Sequence, residues 1–218
     1  MMEVVRCKIK ETAIKNAGKK LSELFLNHQH VPVLFLSSGG SALELLDEID
    51  TVCLPYDLVV GVLDERVGIE PRNSNSAQFK ATSFFARLQK RGVPFIDLEG
   101  KTSARKVIIT QGVGADGHTA GIFPFGENPQ RFQELFENEK VLLVRYNAGD
   151  KTEYPERVTV TMPFLRKVDH SVVYMVGEEK RDALERVLAE DGALHETPAR
   201  IAREMRDVTI FTDIQERV

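Results

Sequence analysis

Apolar residues fall into two kinds of pattern along the chain. Over residues 9–27, Ile9, Ala13, Ala17, Leu21, Leu24 and Phe25 recur at helical spacing with lysines between them, which predicts an amphipathic helix. "VPVLFLS" (31–37), "YDLVVGVLD" (56–64) and "RKVIITQGVG" (105–114) are instead short, nearly continuous apolar runs, as buried strands are. "ALELLDEI" (42–49), "NSNSAQFKATSFFARLQKRG" (73–92) and "EEKRDALERVLAEDG" (178–192) return to helical spacing, the second with capping residues and a terminal glycine. "KVLLVRY" (140–146), "RVTVTMPFL" (157–165), "HSVVYMVG" (170–177) and "DVTIFTD" (207–213) add strands, the second with a possible helical turn at its end, and 147–156 reads as an exposed loop. Strands alternating with helices predict an α/β fold: a doubly wound, mostly parallel, Rossmann-like sheet with helices on both faces. The 218 residues fit one domain spanning 1–218.

In such a fold ligands sit beyond the carboxyl ends of the strands. Three polar clusters follow strands directly, and this shared placement makes them one candidate site. "SSGGS" (37–41) opens a helix, so free amides plus the Ser38 and Ser41 hydroxyls can meet an anion, with Gly39 and Gly40 allowing close approach; a plain tight turn capped by Ser41 fits as well. "LDERVG" (63–68) sets Asp64, Glu65 and Arg66 at a strand end, either as an anion clamp with an orienting acid or as a solvated charge cluster. "GVGADGHTAG" (112–121) holds His118, the best general base in the chain, with Asp116 two residues earlier to fix its tautomer. Lys180 and Arg157 begin a helix and a strand; each is a surface cation or the completion of a phosphate site.

Composition narrows the partners. Charged residues are 28% and the net charge is −4, with bases and acids interspersed, so no basic stripe for nucleic acid or an anionic membrane is present and an anionic ligand must be held locally. Cys7 and Cys53 make neither a metal spacing nor a redox pair. His28 and His30 follow a helix, where cations complement its dipole, and His170 and His195 are isolated. No signal-peptide pattern or bilayer-length apolar run appears, which predicts a cytoplasmic protein. The sequence carries neither G-x-S-x-G nor H-E-x-x-H.

"SGGS", "DERVG" with "SNSAQF", "GVGADGHTAGIFP", "RVTVTMPFL", "VGEEKRDAL" and the tail "TPARIAREMRDVTIFTD" occur in an order that resembles the 6-phosphogluconolactonase and glucosamine-6-phosphate deaminase superfamily, from about residue 10 onward. Arg66 where deaminases have tyrosine, Ser74-Asn75 where they have Ser-Tyr, and Thr119 with Ile122-Phe123-Pro124 after the histidine resemble the lactonase branch. The resemblance implies hydrolysis of 6-phosphoglucono-1,5-lactone, with a deaminase-isomerase or a non-catalytic sugar-phosphate binder as alternatives. It implies His118, Asp116, Arg66 and Asp64 as catalytic, and Gly39, Gly40 and Ser41, with Lys180 and Arg157, on the substrate phosphate; Ser38 adjoins them. It implies a small-molecule sugar-phosphate lactone as partner, no metal or organic cofactor, and a monomer or small homo-oligomer. Ala42-Leu43, Gln111 and Gly121 depart from the family pattern.

Overall fold

The computed structural model describes residues 1–68, 70–100 and 105–217. In chain order its elements are β1 (Met2–Arg6), α1 (Lys10–Asn27), β2 (Val33–Ser37), a 3-10 helix (Gly40–Glu48), β3 (Leu58–Val62), β4 (Asp64–Arg66), α2 (Asn75–Lys80), α3 (Ser83–Lys90), β5 (Lys106–Gly112) and α4 (Pro129–Phe136). They continue with β6 (Leu143–Asn147), β7 (Glu156–Val160), α5 (Met162–Lys167), β8 (His170–Tyr174), a 3-10 turn (Glu178–Lys180), α6 (Arg181–Leu188), a 3-10 helix (Pro198–Arg203) and β9 (Val208–Thr212).

Six strands form a fully parallel sheet in the order β1-β9-β8-β5-β2-β3. Alternate strand residues feed two cores. Val33, Phe35, Val60 and Ile108 pack with Leu21 and Phe25 of α1 and with Leu45 and Phe84. Leu34, Leu36, Ile109 and Val173 pack with Phe136 of α4, Leu165 of α5 and Leu184 of α6. Each strand is therefore apolar on both faces, and this produces the continuous runs in the sequence. No helix among the described residues is long and apolar enough to cross a membrane.

Two strands predicted for this sheet lie elsewhere. β6 and β7 pair antiparallel with each other and with β4 in a separate sheet, ordered β4-β7-β6. Apolar residues reveal burial but not the direction of the partner strand. The small sheet is joined to the large one where β3 runs into β4: Leu63 N–H donates to the Ser37 carbonyl (3.0 Å), and Leu63 O accepts from Val160 N–H (3.2 Å).

Other differences are local. The predicted 73–92 helix is two helices, because the Thr82 hydroxyl accepts from Phe85 N–H and caps a new start. The segment after "SGGS" winds as a 3-10 helix, and the 178–192 helix is regular only over Arg181–Leu188. β1 and α4 were not predicted; β1 is a five-residue edge strand with no fully buried residue, and α4 is capped by Asn128 with Pro129 at its first position.

Candidate functional site

A cleft of about 260 Å³ opens beyond the carboxyl ends of β2, β3 and β5. Ser38, Gly39, Gly40, Ser41, Asp64, Arg66, His118, Arg157 and Lys180 all line it; Asp116 stands just behind His118. The three polar clusters thus converge as their positions after parallel strands require.

One end is the 38–41 turn. Ser38 N–H is fixed on Thr110 of the neighbouring strand (3.2 Å to its carbonyl), and the 3-10 helix begins at Gly40 with no side-chain cap. Its first amides have no helical acceptor and are the groups an anion can take up. Lys180, from the turn before α6, faces the same cleft, and its ammonium has no hydrogen-bond or ion-pair partner among the described residues. Partial burial lowers its pKa from the ordinary lysine value, an effect that Glu179, Asp213 and Glu44 partly offset.

At the other end the His118 ring stacks on Phe123, with centroids 4.5 Å apart, and its Nδ1 lies 2.6 Å from Asp116 Oδ1. The same carboxylate oxygen accepts from His118 N–H at 3.1 Å. Burial pushes the Asp116 carboxyl up, but these bonds together outweigh it and hold the group below the usual range. An ionised Asp116 places the imidazole proton on Nδ1 and leaves Nε2 with a free lone pair. The pair needs glycine at 114: a Cβ there would stand 2.6 Å from Asp116 Oδ1 and closer still to the imidazole.

The small sheet holds this loop. Tyr146 of β6 donates its hydroxyl to the Gly121 carbonyl, and Thr159 of β7 donates to the Ala120 carbonyl, where the chain turns through φ 49°. A left-handed alanine costs about 1–2 kcal/mol, so these bonds secure a turn that the sequence alone would not favour. Gly121 is explained by its neighbour: a Cβ there would lie 2.5 Å from Asp64 Oδ2. Gln111 is also explained. It is buried, donates to Thr119 Oγ1 (3.2 Å) and accepts from Ser171 Oγ (2.8 Å), tying the loop to β8.

Asp64 and Arg157 form a buried ion pair at 3.1 Å, with side chains only 6% and 7% exposed. Arg157 also donates from Nε to the Tyr154 carbonyl (2.9 Å) and from Nη2 to the Thr152 hydroxyl (3.3 Å). Burial raises the Asp64 carboxyl from its ordinary value, and Arg157 opposes the rise. The guanidinium expected on a phosphate thus lines the cleft while also pairing with Asp64. For Arg66, one Nη1 bond reaches the Asn73 carbonyl (2.9 Å), the Tyr154 ring lies 5.1 Å away, and its Nε is buried without a partner among the described residues. Glu65 turns away and accepts from the amides of Arg66, Asn75 and Ser76 at 2.7–2.9 Å, securing the start of α2. Asn75 is a wall residue to which residue-by-residue reading gave no role; its place in "SNSAQF", beside the acidic cluster, is the signal that was present. Among the described residues no group of three or more His, Cys, Asp or Glu is placed to hold a metal ion.

The family model described as glucosamine-6-phosphate isomerases/6-phosphogluconolactonase matches residues 74–211. A 6-phosphogluconolactonase of Chlamydia pneumoniae is 38% identical over 176 residues, 72% of this chain and 65% of the relative. One of Nostoc sp. is 24% identical over 204 residues, 82% of this chain and 75% of the relative. The alignment to the Chlamydia relative thus leaves about a third of that protein unmatched. Among solved structures, the 6-phosphogluconolactonase from Trypanosoma brucei superposes with a TM-score of 0.74 at 14% identity, covering 97% of this chain and 96% of that one. The one from Leishmania guyanensis gives 0.70 at 20% identity, with the same coverage. At these identities the superpositions establish the α/β fold, and the family match carries the assignment: the chain belongs to the glucosamine-6-phosphate isomerase/6-phosphogluconolactonase family.

Proposed function

We propose that the chain hydrolyses 6-phosphoglucono-1,5-lactone to 6-phosphogluconate. The observation that carries this reading is the His118–Asp116 pair, held at 2.6 Å, at one end of a cleft whose other end is an uncapped helix start with a lysine that has no partner among the described residues. The named lactonases among its relatives support it. The substrate phosphate binds the amides of the 38–41 turn, the Ser41 hydroxyl and Lys180. Binding energy spent there places the remote lactone carbonyl beside His118. Nε2 of His118 takes a proton from water as the water oxygen bonds to the carbonyl carbon. Arg66 stabilises the oxyanion of the tetrahedral intermediate. The intermediate collapses by breaking the bond from that carbon to the ring oxygen, which receives the proton from His118. Asp116 keeps the imidazole in the tautomer this cycle requires. Asp64 and Arg157 neutralise one another in the wall, so the acid does not repel the anionic substrate.

The test is lactone hydrolysis above the spontaneous rate, with phosphorylated and unphosphorylated gluconolactone, in the wild type and in His118→Ala. The variant is expected to lose most turnover while still binding 6-phosphogluconate. Unchanged turnover removes His118 as the base, and equal wild-type rates on both lactones remove the phosphate site. Ammonia release from glucosamine 6-phosphate would reassign the reaction to the deaminase branch. Binding without turnover of either substrate would make the chain a sugar-phosphate binder.

A further inference from the structure

Three of the four buried side-chain polar atoms without a partner, among the described residues, lie around this one cleft: Ser38 Oγ, Arg66 Nε and Asn75 Oδ1. Asn75 is the least accounted for. It is 2% exposed and sits at the first position of α2, its backbone amide held by Glu65 at 2.7 Å. Its carboxamide Nδ2 donates to the Asp64 carbonyl at 2.9 Å, which fixes the orientation of the amide group. Oδ1 then points at Gly39. A Cβ on Gly39 would stand 2.7 Å from Asn75 Cγ and closer to Oδ1. Gly39 has φ −76° and ψ −170°, a conformation open to any residue, so its glycine is required by this neighbour and not by its backbone angles.

We propose that Asn75 is a positioning residue that sets the spacing between the anion-binding turn and the Asp64 edge of the cleft, and thereby the preference for phosphorylated over unphosphorylated lactone. The inference rests on the proposed lactonase reading. A single carboxamide touches both edges: it donates to the strand that carries Asp64 and fills the space against the turn that receives the phosphate. No other common side chain of this size does both. Aspartate cannot donate to the Asp64 carbonyl and puts a negative charge beside the phosphate turn. Leucine matches the shape but leaves that carbonyl unpaired. Glutamine is one methylene longer and would push Gly39 outward.

The experiment uses Asn75→Asp, Asn75→Ala, Gly39→Ala and the double variant Gly39→Ala/Asn75→Ala. Three quantities are read: kcat/KM on phosphorylated and unphosphorylated gluconolactone, inorganic phosphate affinity by 31P NMR, and the thermal midpoint. Asn75→Asp is expected to lower the phosphorylated-to-unphosphorylated ratio at least tenfold, mainly through KM, and to weaken phosphate binding by a similar factor. Gly39→Ala should weaken phosphate binding at least tenfold in the wild type but no more than about threefold when Asn75 is already alanine, because the colliding group is gone. Equal losses on both lactones, or independent effects of the Gly39 and Asn75 changes, overturn the proposal and leave Asn75 a stability residue. Should Asn75→Asp fail to fold, the alanine pair still decides the coupling. A wild type that hydrolyses neither lactone defeats the lactonase reading alone, since the phosphate titrations still judge Asn75.

Discussion

Replacing Gly114 with alanine tests the catalytic pair without touching either member. The position has no left-handed φ, so alanine adds a methyl group and no backbone strain. That methyl would sit 2.6 Å from Asp116 Oδ1 and nearer to the imidazole Cε1 and Nδ1, where a carbon needs well over 3 Å. The ring must therefore move by about 1 Å or leave the carboxylate, and displacements of that size at a reacting group cost on the order of 100-fold in rate. The expected result is a kcat about 100-fold below wild type with phosphate affinity retained. Stability should change by about 1 kcal/mol or less, because both side chains are partly exposed and screened. Its pH dependence has a definite sign. The Asp116 carboxyl lies below its unfolded value, so the stability it contributes is present above that value, near pH 3.8, and is lost as pH falls through the folded one. The variant's deficit should be full above about pH 4 and shrink as the pH falls below it. Steady-state kinetics and urea denaturation at pH 3 and pH 7 measure both. A kcat within threefold of wild type would refute the pairing of His118 with Asp116 as a requirement of catalysis.

Two further perturbations address the cleft walls. Arg157→Met leaves the Asp64 carboxylate buried without its partner and should cost about 3–5 kcal/mol in urea denaturation; adding Asp64→Asn should restore much of the loss, whereas a cost below about 1 kcal/mol would mean the pair is solvated. Lys180 has its pKa lowered by burial, so the penalty for burying its charge is present at neutral pH and is relieved as pH rises through the lowered value toward 10.5. Wild-type stability should gain from this over that window, and phosphate affinity should begin to fall below pH 10.5; Lys180→Gln should abolish the gain and Lys180→Arg should hold the affinity level, both read by titration in alkaline buffer.

The large sheet was legible because its strands are buried on both faces. Val33 to Leu36 face two cores in turn, and that double burial writes a continuous apolar run. The helices could be placed by periodicity, but their breaks could not. Whether Thr82 caps a new helix or rides inside one depends on where Phe85 is drawn by the core. β6 and β7 show the deeper limit. β7 is buried on both faces, from Arg157 to Val160 in succession, while Leu143 and Val144 of β6 are only partly so, and neither pattern names a partner strand. Nothing local in "RVTVT" states that it pairs antiparallel with "DER" more than ninety residues earlier, as Arg66 and Arg157 do.

The same register explains why the site was only half readable. His118 and Asp116 are near neighbours in sequence, and their roles follow from chemistry and spacing. Asp64 and Arg157 meet because β4 lies beside β7, so the ion pair exists only once the small sheet forms. That sheet supplies more than the pair. Tyr146 and Thr159 hold the 120–121 turn, and burial raises the Tyr146 hydroxyl pKa, keeping it a proton donor to the Gly121 carbonyl. The turn in turn presses Gly121 against Asp64, which leaves room for no side chain there. The arginine expected on a phosphate also braces Asp64, and Gly121 suits both its left-handed φ of 66° and the nearness of that carboxylate. Asn75 joins the 38–41 turn to the Asp64 edge through its bond to the Asp64 carbonyl and its packing against Gly39, and that contact too exists only once α2 and β4 are in place.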